Sequence, residues 1–185
     1  DGDEFRVISS GMAERYHKRF FDAVPLPEGT VFESLTEALC GFNVAGPLAR
    51  DLLQPLTDAS LATSDFPFMA SRQIAVAGVE CLALRVSFTG DLGWELHCAT
   101  DDQARLYDAL LEVGRDMRAG PVGGRALTSL RLEKGYGSWG REYGPEYWPQ
   151  EAGLERLCRT DKAFLNSGAL EDVIARSPRT RLVMM

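Results

Sequence analysis

Ser87-Phe-Thr-Gly-Asp-Leu-Gly-Trp-Glu-Leu96 decides the reading of this chain, inside the longer run Val79–Leu132. It joins two apolar, strand-like pieces through a loop carrying Gly90 and Gly93. Before the loop, Leu82, Leu84, Val86 and Phe88 share one face, and Cys81, Ala83, Arg85 and Ser87 share the other, the period-two pattern of a strand. After it, Trp94 to Cys98 reads as the next strand. Upstream, Arg72 to Val76 pairs with the strand from Val79 to Phe88 as a hairpin over Ala77-Gly78. Downstream, Asp101-Asp102 is placed to cap a helix and to favour its positive end. Leu106, Leu110, Val113 and Met117 form that helix's core stripe. Gly120-Pro-Val-Gly-Gly124 ends it, and Ala126 to Glu133 resumes helix.

Further out on the N-terminal side, Phe5 to Ser9 alternates as a strand. Met12, Tyr16 and Phe20 recur every four residues on a helix from about Gly11 to Ala23. Thr30–Leu35 and Ala38–Val44 are further strand candidates. Pro47 suits the first turn of a short helix whose Leu48, Leu52 and Leu56 face inward. Strand, helix, strand, strand, helix is the order of a split βαβ, ferredoxin-like α+β fold with helices on one face of an antiparallel sheet. Ser64-Asp-Phe-Pro-Phe-Met69 is too aromatic for free solvent and is expected to pack on a neighbour. From Gly135 the chain becomes an irregular loop holding Tyr136, Trp139, Tyr143, Tyr147 and Trp148, and buried loop aromatics shape pockets. A strand-like piece after Glu151–Glu155, a helix from Phe164 to about Arg176, and a linker with Arg179 and Arg181 close the chain.

With 185 residues and 45% apolar composition the chain can bury a core, and its net charge of −7 argues against nucleic acid or an anionic membrane as partner. No apolar run is long enough to span a bilayer. Cys40, Cys81, Cys98 and Cys158 form no C-x-x-C pair, so they read as buried, reduced thiols of a cytoplasmic-type protein rather than metal ligands. Asp1 in place of Met and the strand-like Arg181-Leu-Val-Met-Met185 suggest a piece of a longer protein.

Phosphate-loop, dinucleotide and nucleophile-elbow motifs are absent from the sequence. His17 stands beside Lys18 and Arg19 and reads as solvent-facing. His97 shares a strand face with Glu95, either as a catalytic pair or as a half-exposed face. Glu95, between Trp94 and Leu96, has two readings. It faces water, or it is a buried acceptor for two adjacent N–H donors of a 2-amino-4-oxo heterocycle such as a pterin. Gly90 and Gly93 would then allow a tight turn and close backbone approach. Arg131, Glu133 and Lys134 read as a solvated helix face with local ion pairs. Arg125 is either solvated or a partner for a ligand carboxylate.

Phe88-Thr-Gly-Asp-Leu-Gly-Trp-Glu-Leu96 resembles the Y-[TV]-G-E-x-G-[FWY]-E-[LI] signature of the folate-binding aminomethyltransferase family, which includes the glycine-cleavage T-protein. Ser129-Leu-Arg-Leu-Glu-Lys-Gly-Tyr136, Ser138-Trp-Gly140, Glu151-Ala-Gly-Leu154, Gly46-Pro-Leu-Ala-Arg50 and Asn166-Ser-Gly-Ala-Leu170 are similar to one branch, the folate module of dimethylglycine and sarcosine dehydrogenases and oxidases. Phe88 stands where the family has Tyr, and Asp91 where it has Glu.

The resemblance implies the folate-binding aminomethyltransferase fold, truncated at both ends. Residues 1–118 would hold the folate-binding subdomains, 119–176 a helix and aromatic loop closing the site, and 177–185 a linker into a C-terminal barrel. It implies tetrahydrofolate as cofactor and a small amine as substrate, with Glu95 holding the pterin, Phe88 against the ligand, Arg125 as the family arginine and Trp139 in the site-shaping loop. The family's catalytic aspartate belongs upstream, so no catalytic residue is assigned and the fragment is expected to be inactive alone. FAD in a flavin domain of a parent chain is compatible with this branch but would not be bound here. A rival reading is a non-catalytic interaction or RNA-maintenance module on the same fold. The upstream sequence would discriminate the two.

Overall fold

The structure is a computed structural model that describes residues 4–183. Residues 1–3 and Met184-Met185 lie outside it, including the end of the strand-like run and of the 177–185 segment. The described residues form two compact units, Phe32–Tyr136 and, together, those before residue 32 with those after residue 136.

The first unit holds β1 (Leu39–Ala45), α2 (Ala49–Leu53), β2 (Ser71–Val76), β3 (Val79–Leu84), β4 (Gly93–Ala99), α3 (Gln103–Gly114) and α4 (Gly124–Glu133). Its sheet is antiparallel throughout, in the order β1-β4-β3-β2. The α+β class with an antiparallel sheet is therefore as expected. The β2–β3 hairpin turns on Ala77 and Gly78, at φ 51° and 73°. Positive φ at both turn residues is what a right-twisted two-residue hairpin needs. β1 and β4 pair along seven rungs, from Leu39↔Ala99 to Ala45↔Gly93. β3 and β4 share only Leu82↔His97, Ala83↔Leu96 and Leu84↔Glu95, because β3 stops at Leu84 and residues 85–92 leave the sheet as a loop.

One sheet face is the core. Ile74 and Val76, Val79, Cys81 and Ala83, and Trp94, Leu96 and Cys98 meet Ala49, Leu52 and Leu53 of α2 and Leu106 and Leu110 of α3. Val113 and Met117 pack on its edge, completing the expected stripe. Phe66 is fully buried, its ring edge-on to Trp94 at 6.3 Å, so the aromatic segment packs into the core through this residue, whereas Phe68 and Met69 stay exposed at 64% and 71%. Each large side chain buried this way contributes about 1.5–3 kcal/mol. The small Cys81 and Ala83 take the buried face of β3, which leaves room there for Trp94 and Leu96. Leu82 and Leu84 turn to the other face, where they are half-buried beside Glu95 and His97.

Several expectations fail, for identifiable reasons. Phe5 to Ser9 and Thr30 to Leu35 form no strands. Phe5 and Val31 are each 87% exposed, and without a neighbouring strand their backbone has no ladder to join. The strand, helix, strand, strand, helix order over the first third is thus replaced by helix, strand, helix. The second helix starts at Ala49, two residues past Pro47, and Leu48 is half-exposed while Leu53 takes its place inside. Asp102 occupies the N-cap of α3 without a side-chain cap bond and pairs instead with Arg105 at 3.1 Å. Arg131 is buried rather than solvated, its Nη1 donating to the Tyr136 carbonyl at 2.9 Å.

In the second unit, a 3-10 turn (Gly11–Ala13) leads into α1 (Glu14–Ala23), and α5 spans Ser167–Ile174. His17 does not face solvent. Its ring meets Trp139 edge-on at 5.2 Å, with Tyr16 on the same indole at 5.3 Å. No strand follows Glu155, where the chain makes a 3-10 turn, Glu155–Leu157. Arg179 is no free linker residue. Its backbone N–H, Nε and Nη2 all donate to the fully buried Glu151 carboxylate, and its guanidinium lies over Trp148.

Candidate functional site

β4 positions the site. Its alternation sends Trp94, Leu96 and Cys98 into the core and Glu95 and His97 to the opposite face. Glu95 lies opposite Asn43 of β1 and Leu84 of β3. Its side chain is 29% exposed, so it is neither in bulk water nor enclosed. His97 Nε2 stands 3.5 Å from Glu95 Oε2, too long for a good hydrogen bond. No other partner of the Glu95 carboxylate is recorded among the described residues. A half-desolvated carboxylate with free lone pairs, bordered by Leu82 and Leu84, can accept a pair of N–H donors from a flat heterocycle.

Gly93 and Gly90 have separate tasks. A Cβ on Gly93 would come within 2.9 Å of the Val44 carbonyl, so β1 and β4 close up only over a glycine. Gly90 turns the 85–92 loop at φ 83°, and its N–H donates to Ser87 Oγ at 2.9 Å. Beside this loop lies a cavity of about 330 Å³ whose walls include Phe68, Arg85, Val86, Asp91, Lys134 and Tyr136. Gly93 also lines it, two residues before Glu95 on the same strand face.

The sequence-derived residues are distributed unevenly. Glu95 and Phe88 belong to the one loop-and-strand segment, Phe88 half-buried in the loop. Arg125 is exposed in the first turn of α4 and has no recorded side-chain partner. Trp139 belongs to the other compact unit, in the cluster with Tyr16 and His17. None of these four lines the cavity. Arg85 and Lys134 line the cavity, which the sequence did not point to, although Lys134 is exposed as its solvated helix-face reading has it. Each looks like an ordinary polar position of its element, and only the fold brings both to one cavity.

Fold and site together define an α+β domain with a ligand-sized cavity beside an open sheet face. The model of the GCVT N-terminal domain matches residues 1–162, and the chain belongs to that family. Human mitochondrial dimethylglycine dehydrogenase is 34% identical over 186 aligned positions, which cover 98% of this chain and 22% of that protein. Mouse mitochondrial sarcosine dehydrogenase is 38% identical over 152 positions, 81% of this chain and 16% of that protein. An aminomethyltransferase of Caldanaerobacter subterraneus subsp. tengcongensis is 34% identical over 139 positions, 75% of this chain and 37% of that protein. The chain thus spans about a fifth of the dehydrogenases and over a third of the aminomethyltransferase. Among the described residues, no helix is long and apolar enough to cross a membrane.

Proposed function

We propose that this chain is the folate-binding part of a one-carbon transfer module, with tetrahydrofolate as the ligand and Glu95 as the grip on its pterin ring. The observation that carries this is the Glu95 carboxylate, half-buried on the open face with its acceptors unspent. Adjacent N–H donors on a pterin edge match a carboxylate in a charge-assisted, two-bond pair. The ring would lie against Leu82 and Leu84, with Phe88 offering a further apolar wall. Tetrahydrofolate, when bound, supplies a nitrogen that accepts the one-carbon unit of a small amine. The residues of this chain bind and orient. Holding the reacting atoms in place is by itself a large share of such catalysis.

Family membership supports the reading, and so does the presence of Glu95 on β4 at the position of the family's glutamate, next to a loop that departs from the family pattern at Phe88 and Asp91. Isothermal titration of tetrahydrofolate into the chain and its Glu95→Ala variant provides the test. Affinity is expected to fall at least tenfold in the variant. Submicromolar binding unchanged by the substitution would reject Glu95 as the anchor.

A further inference from the structure

We infer that the cavity beside Gly90 takes the carboxylate-bearing tail of the ligand whose ring Glu95 holds, with Lys134 and Arg85 as its cationic contacts. This rests on the folate reading above. The cavity is about 330 Å³, enough for a ring and a short acidic chain, and its walls combine Phe68, Val86 and Leu92 with the two cations. Arg85 is fixed in place. Its Nη1 donates to the Phe66 carbonyl at 2.6 Å and its guanidinium lies 5.6 Å from the Trp94 ring centre, and neither contact neutralises its charge.

Lys134 is held differently. Its methylenes run across Gly90 so closely that a Cβ there would overlap Cγ, Cδ and Cε. Gly90 is therefore a slot for the lysine stem as well as a turn. Among the described residues neither cation has a recorded carboxylate partner. Asp91 also lines the cavity, but its carboxylate accepts from Thr89 Oγ1 at 3.0 Å. Two cations against one carboxylate leave a positive cavity in a chain of net charge −7. Two cationic residues without a carboxylate partner, lining one space beside apolar walls, suit an anion carried on an aromatic body.

The placement fits one molecule with two ends. Gly93 lines the cavity and shares a strand face with Glu95, two residues on, a step of about 7 Å along β4. A pterin held at Glu95 would send its benzoyl-glutamate end toward Lys134. A free carboxylate compound would satisfy the same cations, and the test separates the two sources.

NMR titrations of the full chain use three probes: N-(4-aminobenzoyl)-L-glutamate, which has the tail and no pterin; 6-methyltetrahydropterin, which has the ring and no tail; and free L-glutamate. Lys134→Met keeps the stem in its slot and removes the charge. It should weaken aminobenzoylglutamate about tenfold and leave the pterin unchanged, and Lys134→Arg should restore the loss. Glu95→Gln should do the reverse. Aminobenzoylglutamate that fails to bind, or binds equally well to Lys134→Met, overturns the tail assignment even where the pterin binds normally. Free L-glutamate that binds as tightly as aminobenzoylglutamate also overturns it, in favour of a bare carboxylate site. Pterin binding insensitive to Glu95→Gln sinks the ring reading instead, with the Lys134 result standing by itself.

Discussion

Glu95 and His97 stand one strand period apart on the open face of the sheet, Oε2 and Nε2 separated by 3.5 Å. Gly41 lies opposite His97 across the β1–β4 ladder, and a Cβ at that position would lie 3.3 Å from His97 Nδ1, so the imidazole packs close against the bare backbone of β1. His97 therefore borders the carboxylate without saturating it. His97→Ala should lower tetrahydrofolate affinity about threefold, against tenfold or more for Glu95→Ala. Titration of both variants decides, and equal losses would mean that His97 touches the ligand itself.

Gly93→Ala should loosen the β1–β4 seam. The added Cβ meets the Val44 carbonyl at 2.9 Å and Ala45 Cβ at 3.2 Å, and neither can swing away as a flexible side-chain end would. Overpacking against backbone costs about 1–3 kcal/mol. A urea melt should show that loss, and an unchanged midpoint would show that β1 shifts freely.

Ala77→Asn should stabilise the chain. Ala77 sits at φ 51° in the β2–β3 turn, a conformation that costs an alanine about 1–2 kcal/mol and an asparagine less. Its N–H, which donates to the Leu56 carbonyl at 2.7 Å, is retained in the variant. The expected gain is about 0.5–1 kcal/mol, visible as a rise in thermal midpoint. A fall would mean that the asparagine side chain collides near Leu56.

Local pattern carried much of this fold into view. The β2–β3 hairpin, β4 and the α3 stripe were legible because period, turn residues and burial agree there. Phe5–Ser9 misled because alternation marks a strand only when a partner exists to complete its hydrogen bonds. His17 misled because its charged neighbours hide the ring contact with Trp139, more than a hundred residues away in sequence. Arg179 misled for the same reason, since its partner Glu151 sits in an aromatic loop. At the candidate site, the strand face that Glu95 takes, opposite Trp94 and Leu96, was legible from its place between them. The Lys134–Gly90 contact was not, because it joins the end of α4 to a loop over forty residues earlier, and no spacing rule connects them.

The buried thiols should be chemically silent. Burial pushes Cys98 up to about 12 and Cys81 up to about 11, and the reactive form is the thiolate. Cys40 lies across the strand pair from Cys98, sulfurs 3.4 Å apart, but is only half-buried, as is Cys158. Iodoacetamide at pH 8 should label Cys158 and Cys40 first and reach Cys81 and Cys98 only in denaturant. Mass spectrometry of peptides from the native protein checks the order, and early labelling of Cys98 would mean that the β1–β4 edge opens.

Acid should weaken the second unit through Glu151. The Arg179 side chain, then the Trp148 N–H, hold its carboxyl down to about 2. A group lowered by folding stabilises above its unfolded value, and that contribution fades as pH falls toward the folded one. The window is therefore from about 4.5 down to about 2. Glu151→Gln should be less stable than wild type at pH 6, with the gap between their urea midpoints closing across that window. Arg179→Met should behave alike, since it removes the guanidinium that keeps the carboxylate charged. A gap that stays constant from pH 6 to pH 2.5 would show that Glu151 acts there through shape rather than charge.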